Sequence, residues 1–228
     1  LGGMPGQLGA AGRCVSAGHA HQHANVFDNR GMSEPVTLIP LDTVSGAPLA
    51  PSGTPTSSRP TAKFMFAHPA HLLALGLGSG LSRIAPGTSG TLWAWAAFVA
   101  LQPWLGDAGW AWLIGGGALL GWWASTVTAR HLGVLDPGNV VIDEIVAFWL
   151  VLWLVTPTSL VGQVMAFGLF RFFDAVKPGP VGWADALFHH VDPQTDRRAW
   201  SKAGFGIMLD DLVAAGCTVL VVAIWRFI

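Results

Sequence analysis

Arg171, Asp174 and Lys177 stand three residues apart at the end of an apolar run that contains Val161, Val164, Met165, Phe167 and Phe170. On a helix that spacing brings the three charges towards one face, and Pro178-Gly179-Pro180 then stops the helix. Charge beside an apolar helix is costly unless it is paired, metal-bound or exposed to water. Two carboxylate pairs repeat the anomaly. Asp143-Glu144 sits one turn into the run VVIDEIVAFWLVLWLV, and Asp210-Asp211 stands before the last apolar run, Leu212–Ile228. A helix dipole favours one carboxylate at a helix start. Two together suit a divalent cation such as Mg2+, which takes carboxylate oxygens along with water and phosphate.

A fourth feature is Pro86-Gly87-Thr88-Ser89-Gly90-Thr91, which leads into an apolar helix expected from Leu92. A Gly- and hydroxyl-rich loop feeding a helix N-terminus can bind an anion through unpaired amides. It can equally be a flexible connection in which Thr91 or Ser89 caps the helix. With the carboxylates it outlines a metal site that handles phosphate. The metal would polarise a phosphoryl oxygen and activate water. Arg171 would make a forked contact to phosphate and Lys177 a point-charge contact. Structural ion pairs that tie helix ends together would leave the same pattern, so both readings stay open on the residues alone.

The elements that must position these groups follow from composition. Of 228 residues, 52% are hydrophobic and 11% charged, against averages of about 45–50% and about 25%. Net charge is −1, which offers no field for nucleic acid. Cys14 and Cys217 are too far apart in unlike surroundings to suggest a disulfide framework. Residues 1–62 are Gly/Pro/Ser-rich without helix or strand period and read as a disordered polar leader. His19, His21 and His23 within it suit a solvated tail better than a metal site. All 12 Trp follow residue 92. Five apolar runs follow the leader, so residues 63–228 are expected to be all-α: a small polytopic helical membrane domain of about five apolar helices. Gly115, Gly116, Gly117 and Gly121 would permit close helix contact. Trp104, Trp110, Trp112, Trp122 and Trp123 are placed either as interfacial belts or as packing residues. His189-His190 reads as surface.

With the leader on the cytoplasmic side, five passes put Lys63, Arg83, Arg130, Arg171, Lys177, Arg197, Arg198 and Lys202 in cytoplasmic segments. The loops at 103–109 and 156–159 carry no Lys or Arg, as the positive-inside rule requires. The same topology brings Asp136, Asp143, Glu144, Asp174, Asp210 and Asp211 to one side.

The chain resembles the bacterial phosphatidylglycerophosphatase A family. The resemblance rests on His71–Leu75 with Gly78–Ser82, Ala85–Thr88 with Gly90-Thr91, Val141–Glu144, Phe170–Asp174 with Lys177-Pro178 and Pro180, and Gly204–Asp211. These pieces occur in the family's order across residues 68–228. It implies an all-helical, Mg2+-dependent phosphatase of the bacterial inner membrane, multi-pass, with its active site on the cytoplasmic side. The implied reaction converts phosphatidylglycerophosphate to phosphatidylglycerol and phosphate. By position, Asp143, Glu144, Asp174, Asp210 and Asp211 become candidate metal ligands or acid/base groups. Gly87, Thr88, Gly90, Thr91, Arg171 and Lys177 become candidates on the phosphate side. Membrane lipid is the implied partner, with no nucleic acid and no obligatory protein partner evident. No Ser or Cys stands in a triad setting, so a metal-activated water is the preferred attacker over an aspartyl-phosphate. Two alternatives remain. Another lipid-phosphate enzyme, such as a CDP-alcohol phosphotransferase, lacks its expected Asp-Gly-x-x-Ala-Arg run here. A small ion or proton transporter would use Asp174 and Glu144 as intramembrane carboxylates.

Three features depart from the family pattern. Ala147 stands where Gly is expected, and the stretch from His190 to Ala203 is longer than the usual link. The third is the leader. The chain opens on Leu1, and Met32-Ser33-Glu34-Pro35 reads as an ordinary start, so residues 1–31 are expected to be dispensable. A deletion lacking them should retain activity in a phosphate-release assay; loss of activity would refute the expectation.

Overall fold

The computed structural model describes residues 59–188 and 191–227. The leader up to residue 58, with His19, His21 and His23, and the His189-His190 pair lie outside them. Every regular element among the described residues is helical: α1 (Ala62–Phe66), α2 (Pro69–Ala74), a 3₁₀ turn (Gly76–Leu81), α3 (Pro86–Leu101), α4 (Asp107–Leu132), α5 (Ile142–Val155), α6 (Leu160–Val176), α7 (Pro180–Ala186) and α8 (Ala199–Phe227).

The five apolar runs become α3, α4, α5, α6 and α8, with shifted ends. α3 starts at Pro86 rather than Leu92, because proline at the first helical position sacrifices no hydrogen bond. Ser89 and Thr91 are therefore inside the helix and neither is its cap. α4 continues past Ser125 to Leu132, where left-handed Gly133 ends it. α8 begins at Ala199, so Asp210-Asp211 lies well inside a helix instead of at its entrance.

One described helix, α8 over Ala199–Arg226, is both long and apolar enough to cross a membrane. α3, α5 and α6 have 16, 14 and 17 residues, short of the about 20 a full span takes. α4 has the length, but Gly and Trp dilute its hydropathy. The all-α class holds among the described residues, whereas five full-length spans do not follow from these helices.

α5 is apolar on all sides below its first turn and is enclosed by α3, α4, α6 and α8. Its Phe148 is fully buried, with Phe98 of α3 and Phe170 of α6 fully buried around it. Trp149 fixes α5 to α3 by donating its indole N–H to Ala94 O at 2.8 Å. Trp110 is a packing residue, stacked on Phe98 with centroids 4.4 Å apart, while Trp104 and Trp112 are exposed as a belt would have them. Gly117 and Gly121 of α4 admit Val146 and Met208 respectively, but Gly115 and Gly116 face no neighbour within 4 Å.

The two ends of the bundle are distinct. At one end Arg226 of α8 donates to the carbonyls of Val155 and Pro157, and Trp153 donates to Asp107. At the other, Val141 N–H donates to Ala74 O at 2.8 Å and Asn139 donates to Gly80 O at 2.7 Å. A Cβ on Gly80 would lie 2.2 Å from Asn139 O, so only glycine allows that approach. The starts of α3 and α5 and the end of α6 gather at this second end.

α1, α2 and the 3₁₀ turn cap that end against α4. Buried His71 has Phe64 O 2.9 Å from Nδ1 and His131 Nδ1 2.8 Å from Nε2. A carbonyl only accepts, so His71 donates from Nδ1 and accepts from His131 at Nε2. Burial lowers the His71 pKa from its ordinary 6.5, and nearby His131 and His68 add to the effect against the opposing Phe64 bond. A depressed folded-state pKa means the clasp is intact above the unfolded value and weakens as pH falls through it. Hydrogen exchange of the α1–α2 amides, corrected for intrinsic rate, should therefore accelerate between about pH 7.5 and about pH 5.5, and His71→Asn should flatten that dependence.

Candidate metal and phosphate site

α5 brings Asp143 and Glu144 in its first turn, and α8 brings Asp211. One carboxylate oxygen from each lies within 4.8 Å of the other two. All three residues are buried. Asp143 Oδ1, Glu144 Oε2 and Asp211 Oδ2 have no hydrogen-bond partner among the described residues. An unsatisfied buried polar atom costs about 1–3 kcal/mol, more when charged, and adjacent carboxylates also repel each other. A cation between them relieves both penalties. The donors are hard oxygens only, which fits Mg2+ or a similar divalent ion and not a thiolate-seeking metal.

Arg171, near the end of α6, lies beside Glu144 of this trio. Its Nη1 lies 2.7 Å from Asp174 Oδ2 and 3.6 Å from Glu144 Oε1. The same nitrogen is 3.4 Å from Thr91 Oγ1, which donates to Gly87 O at 2.9 Å. The start of α3 is thereby laid directly against the guanidinium. A Cβ on Gly87 would stand 2.1 Å from Glu144 Oε1 and 3.1–3.2 Å from the two Arg171 terminal nitrogens. Gly90 is similarly tight, its Cβ position being 2.8 Å from Val141 Cβ and 3.4 Å from Glu144 Oε2. Thr88 is half-buried on the same first turn. Ser89 N–H donates to Ala85 O at 3.0 Å, while the N–H groups of Gly87 and Thr88 precede the first helical bond and have no intrahelical partner.

Lys177 leaves the face that its spacing with Arg171 and Asp174 implied. It ends α6 in the left-handed conformation at φ 49°, so its side chain swings away and pairs with Asp185 of α7 and Asp210 of α8. Burial alone would lower its pKa, but the two carboxylates outweigh that and raise it above the ordinary 10.5. Asp210 Oδ1 also accepts from Asp211 N at 3.0 Å, so the Lys177 pair is coupled mechanically to a trio member. Asp136, Asp185 and Asp210, with Leu135, Phe188 and Ile207, line a cavity of about 110 Å³ beside this pair.

Of the expected site residues, the structure thus joins Asp143, Glu144 and Asp211 directly; Arg171 and Gly87 lie against Glu144, and Asp174 and Thr91 hold Arg171. Asp210 and Lys177 form a separate pair behind Asp211. Sequence reasoning missed Asp185, whose link to Lys177 crosses the helix break at Pro178–Pro180. A lone carboxylate in a polar excursion gave no periodic signal.

A model of the phosphatidylglycerophosphatase A family matches residues 72–226. That range holds every residue of this site. This chain belongs to the phosphatidylglycerophosphatase A family, and on that membership it is a phosphatase. Among its relatives, phosphatidylglycerophosphatase A of Haemophilus influenzae is 37% identical over 167 residues, covering 73% of this chain and 94% of that protein. Phosphatidylglycerophosphatase A of Escherichia coli is 34% identical over 152 residues, covering 67% and 80%. A Bacteroides thetaiotaomicron protein named "Putative phosphatidylinositol-3-phosphatase" is 32% identical over 163 residues, covering 69% and 93%. No solved structure matches the chain.

The crowding at Gly87 can be tested. Gly87→Ala should lower phosphate release by at least about tenfold without loss of folded protein, because the methyl displaces Glu144 and Arg171 by a small distance that catalysis tolerates poorly. Gly168→Ala, where nothing lies within 4 Å, should leave both activity and melting temperature near the parent values.

Proposed function

We propose that this protein is a Mg2+-dependent phosphatase that hydrolyses phosphatidylglycerophosphate to phosphatidylglycerol and inorganic phosphate in phospholipid biosynthesis. The observation that carries this reading is the cluster of three buried carboxylates, each with one orphan oxygen, in which Glu144 touches Arg171 and the first turn of α3. Asp143, Glu144 and Asp211 would hold the ion. When bound, a divalent ion supplies positive charge that polarises a phosphoryl oxygen and acidifies water.

The protein's own groups do the rest. Arg171 presents a guanidinium to the phosphate, and Asp174 fixes its orientation. The free amides of Gly87 and Thr88 at the start of α3 add neutral donors to the phosphate oxygens. Thr91 ties Arg171 to that turn. Lys177 acts one layer back, where it holds Asp210 and through it the backbone of Asp211. In the hydrolysis, a water oxygen forms the new bond to phosphorus, the glycerol oxygen leaves, and it gains a proton as the alcohol. Asp174 is bound to Arg171 instead of standing free, which favours this reading over a proton carrier.

The proposed setting is the bacterial inner membrane, with the chain crossing more than once and the site facing the cytoplasm. The apolar α8, the exposed Trp104, Trp112 and Trp225, and the absence of Lys or Arg from the 103–109 and 156–159 loops support it.

The test is phosphate release from phosphatidylglycerophosphate by purified protein. EDTA should abolish turnover and added Mg2+ should restore it. Asp174→Asn and Asp211→Asn should each lower kcat at least about 10²-fold while membrane insertion is kept. Near-normal turnover in both variants would remove the metal-site reading. Faster release from a phosphatidylinositol phosphate in the same assay would move the substrate while keeping the chemistry.

A further inference from the structure

Residues 59–85 contain no Asp or Glu but carry Arg59, Lys63 and Arg83, all exposed. The same stretch leaves Phe66 73%, Leu77 54% and Ile84 97% exposed. These six residues share one small unit. Arg59 Nη1 donates to Arg83 O at 3.3 Å, which closes the start of the unit on its end. Met65 of α1 packs against Gly78 of the 3₁₀ turn, its sulfur 3.8 Å from the glycine's Cβ position. The unit's inner face is buried on α4 through Ala70, His71 and Ala74. Its outer face therefore presents large apolar side chains interspersed with cations, at the end of the bundle where the carboxylates gather.

We propose that this unit is a foot that rests in the headgroup layer of an anionic leaflet. Phe66, Leu77 and Ile84 reach towards the acyl chains, and Arg59, Lys63 and Arg83 meet lipid phosphates. Apolar residues beside basic ones are how segments lie in a membrane interface. A basic surface next to an apolar one gains from negative lipid in a way that a neutral bilayer does not provide. The absence of acid throughout the stretch gives the charge complementarity. Ile84 precedes Pro86 and Gly87, so the foot adjoins the mouth of the site. A phosphate borne on a lipid could reach the first turn of α3 without its chains leaving the leaflet. That last step rests on the lipid-phosphatase reading; the leaflet contact itself does not.

The full chain, with Cys14 and Cys217 replaced by Ser, is labelled at Ile84→Cys with a fluorophore and placed in phosphatidylcholine vesicles with or without phosphatidylserine. Spin-labelled lipid should quench strongly and aqueous iodide weakly. Quenching by iodide alone would show that the foot faces water and overturn the proposal. Quenching by neither would show that protein covers it, a second copy or another segment, and would equally overturn it. This readout needs no turnover, so an inactive enzyme would sink the functional reading and leave the foot standing. In active protein, the triple change Arg59→Gln, Lys63→Gln and Arg83→Gln should raise KM about tenfold for lipid substrate in phosphatidylserine-containing vesicles. kcat there, and KM in neutral detergent micelles, should stay unchanged. An unaltered KM in the anionic vesicles would overturn the role of the three bases.

Discussion

Three buried carboxylates held together, each with one oxygen that no hydrogen bond satisfies, are the constraint that everything else in this protein accommodates. Asp143, Glu144 and Asp211 come from two helices and are brought together by apolar packing that has no affinity for charge. Packing of this kind can offset a buried charge only by bulk. α5 is the element that provides it, buried over Asp143–Trp149 so that its first turn cannot retreat to solvent. The acids are then trapped where the proposed cation would be their natural counterpart, and its binding would recover the energy that the fold gives up there.

The second layer follows from the first. Arg171 is the nearest charge able to offset the trio, yet it is shared with Asp174 and Thr91 instead of closing fully on Glu144. A guanidinium that satisfied Glu144 completely would compete with the cation. Divided among three acceptors, it lies beside the trio and keeps donors for another anion. The start of α3 approaches so closely because Gly87 has no side chain. Lys177 stays apart, occupied by Asp185 and Asp210, and so contributes rigidity to α8 instead of charge to the trio.

Much of this was legible in the residues because charge inside apolar runs is conspicuous. Asp143-Glu144 and Asp211 stood out for that reason, and so did the Arg171–Asp174 pair, whose spacing survives in the fold as an ion pair. Lys177 did not survive, because helix spacing says nothing about a residue whose own backbone turns left-handed. Asp185 lay in a polar stretch where one more acid carries no contrast. Hydroxyls and glycines make the Gly/Thr stretch look like a loop; Pro86 in fact starts the helix, and its glycines serve close packing. The five long apolar helices were readable from the apolar runs; short α1, α2 and α7 were not, nor were the helix ends, since small residues such as those of 199–211 fit either state.

The displaced end of α8 bears on how a lipid phosphate meets the site. At 1.5 Å per residue, the stretch from Asp211 to Arg226 rises about 22 Å, and α5 about 21 Å. Both fall short of the about 30 Å hydrocarbon core. With Arg226 and the 155–157 turn at the far interface, the proposed setting places the carboxylate trio below the near headgroups instead of above them. In that setting, short α3, α5 and α6 and the mid-helix position of Asp211 would have one meaning: these helices are shorter than the hydrocarbon core on the side where the acids are, while α4 and α8 continue past it. A headgroup moving sideways within its leaflet could reach such a site from the level it already occupies. Buried, water-poor acids suit that approach better than a cleft open to the cytoplasm, because the electrostatic attraction on which the chemistry depends is strongest where water is scarce.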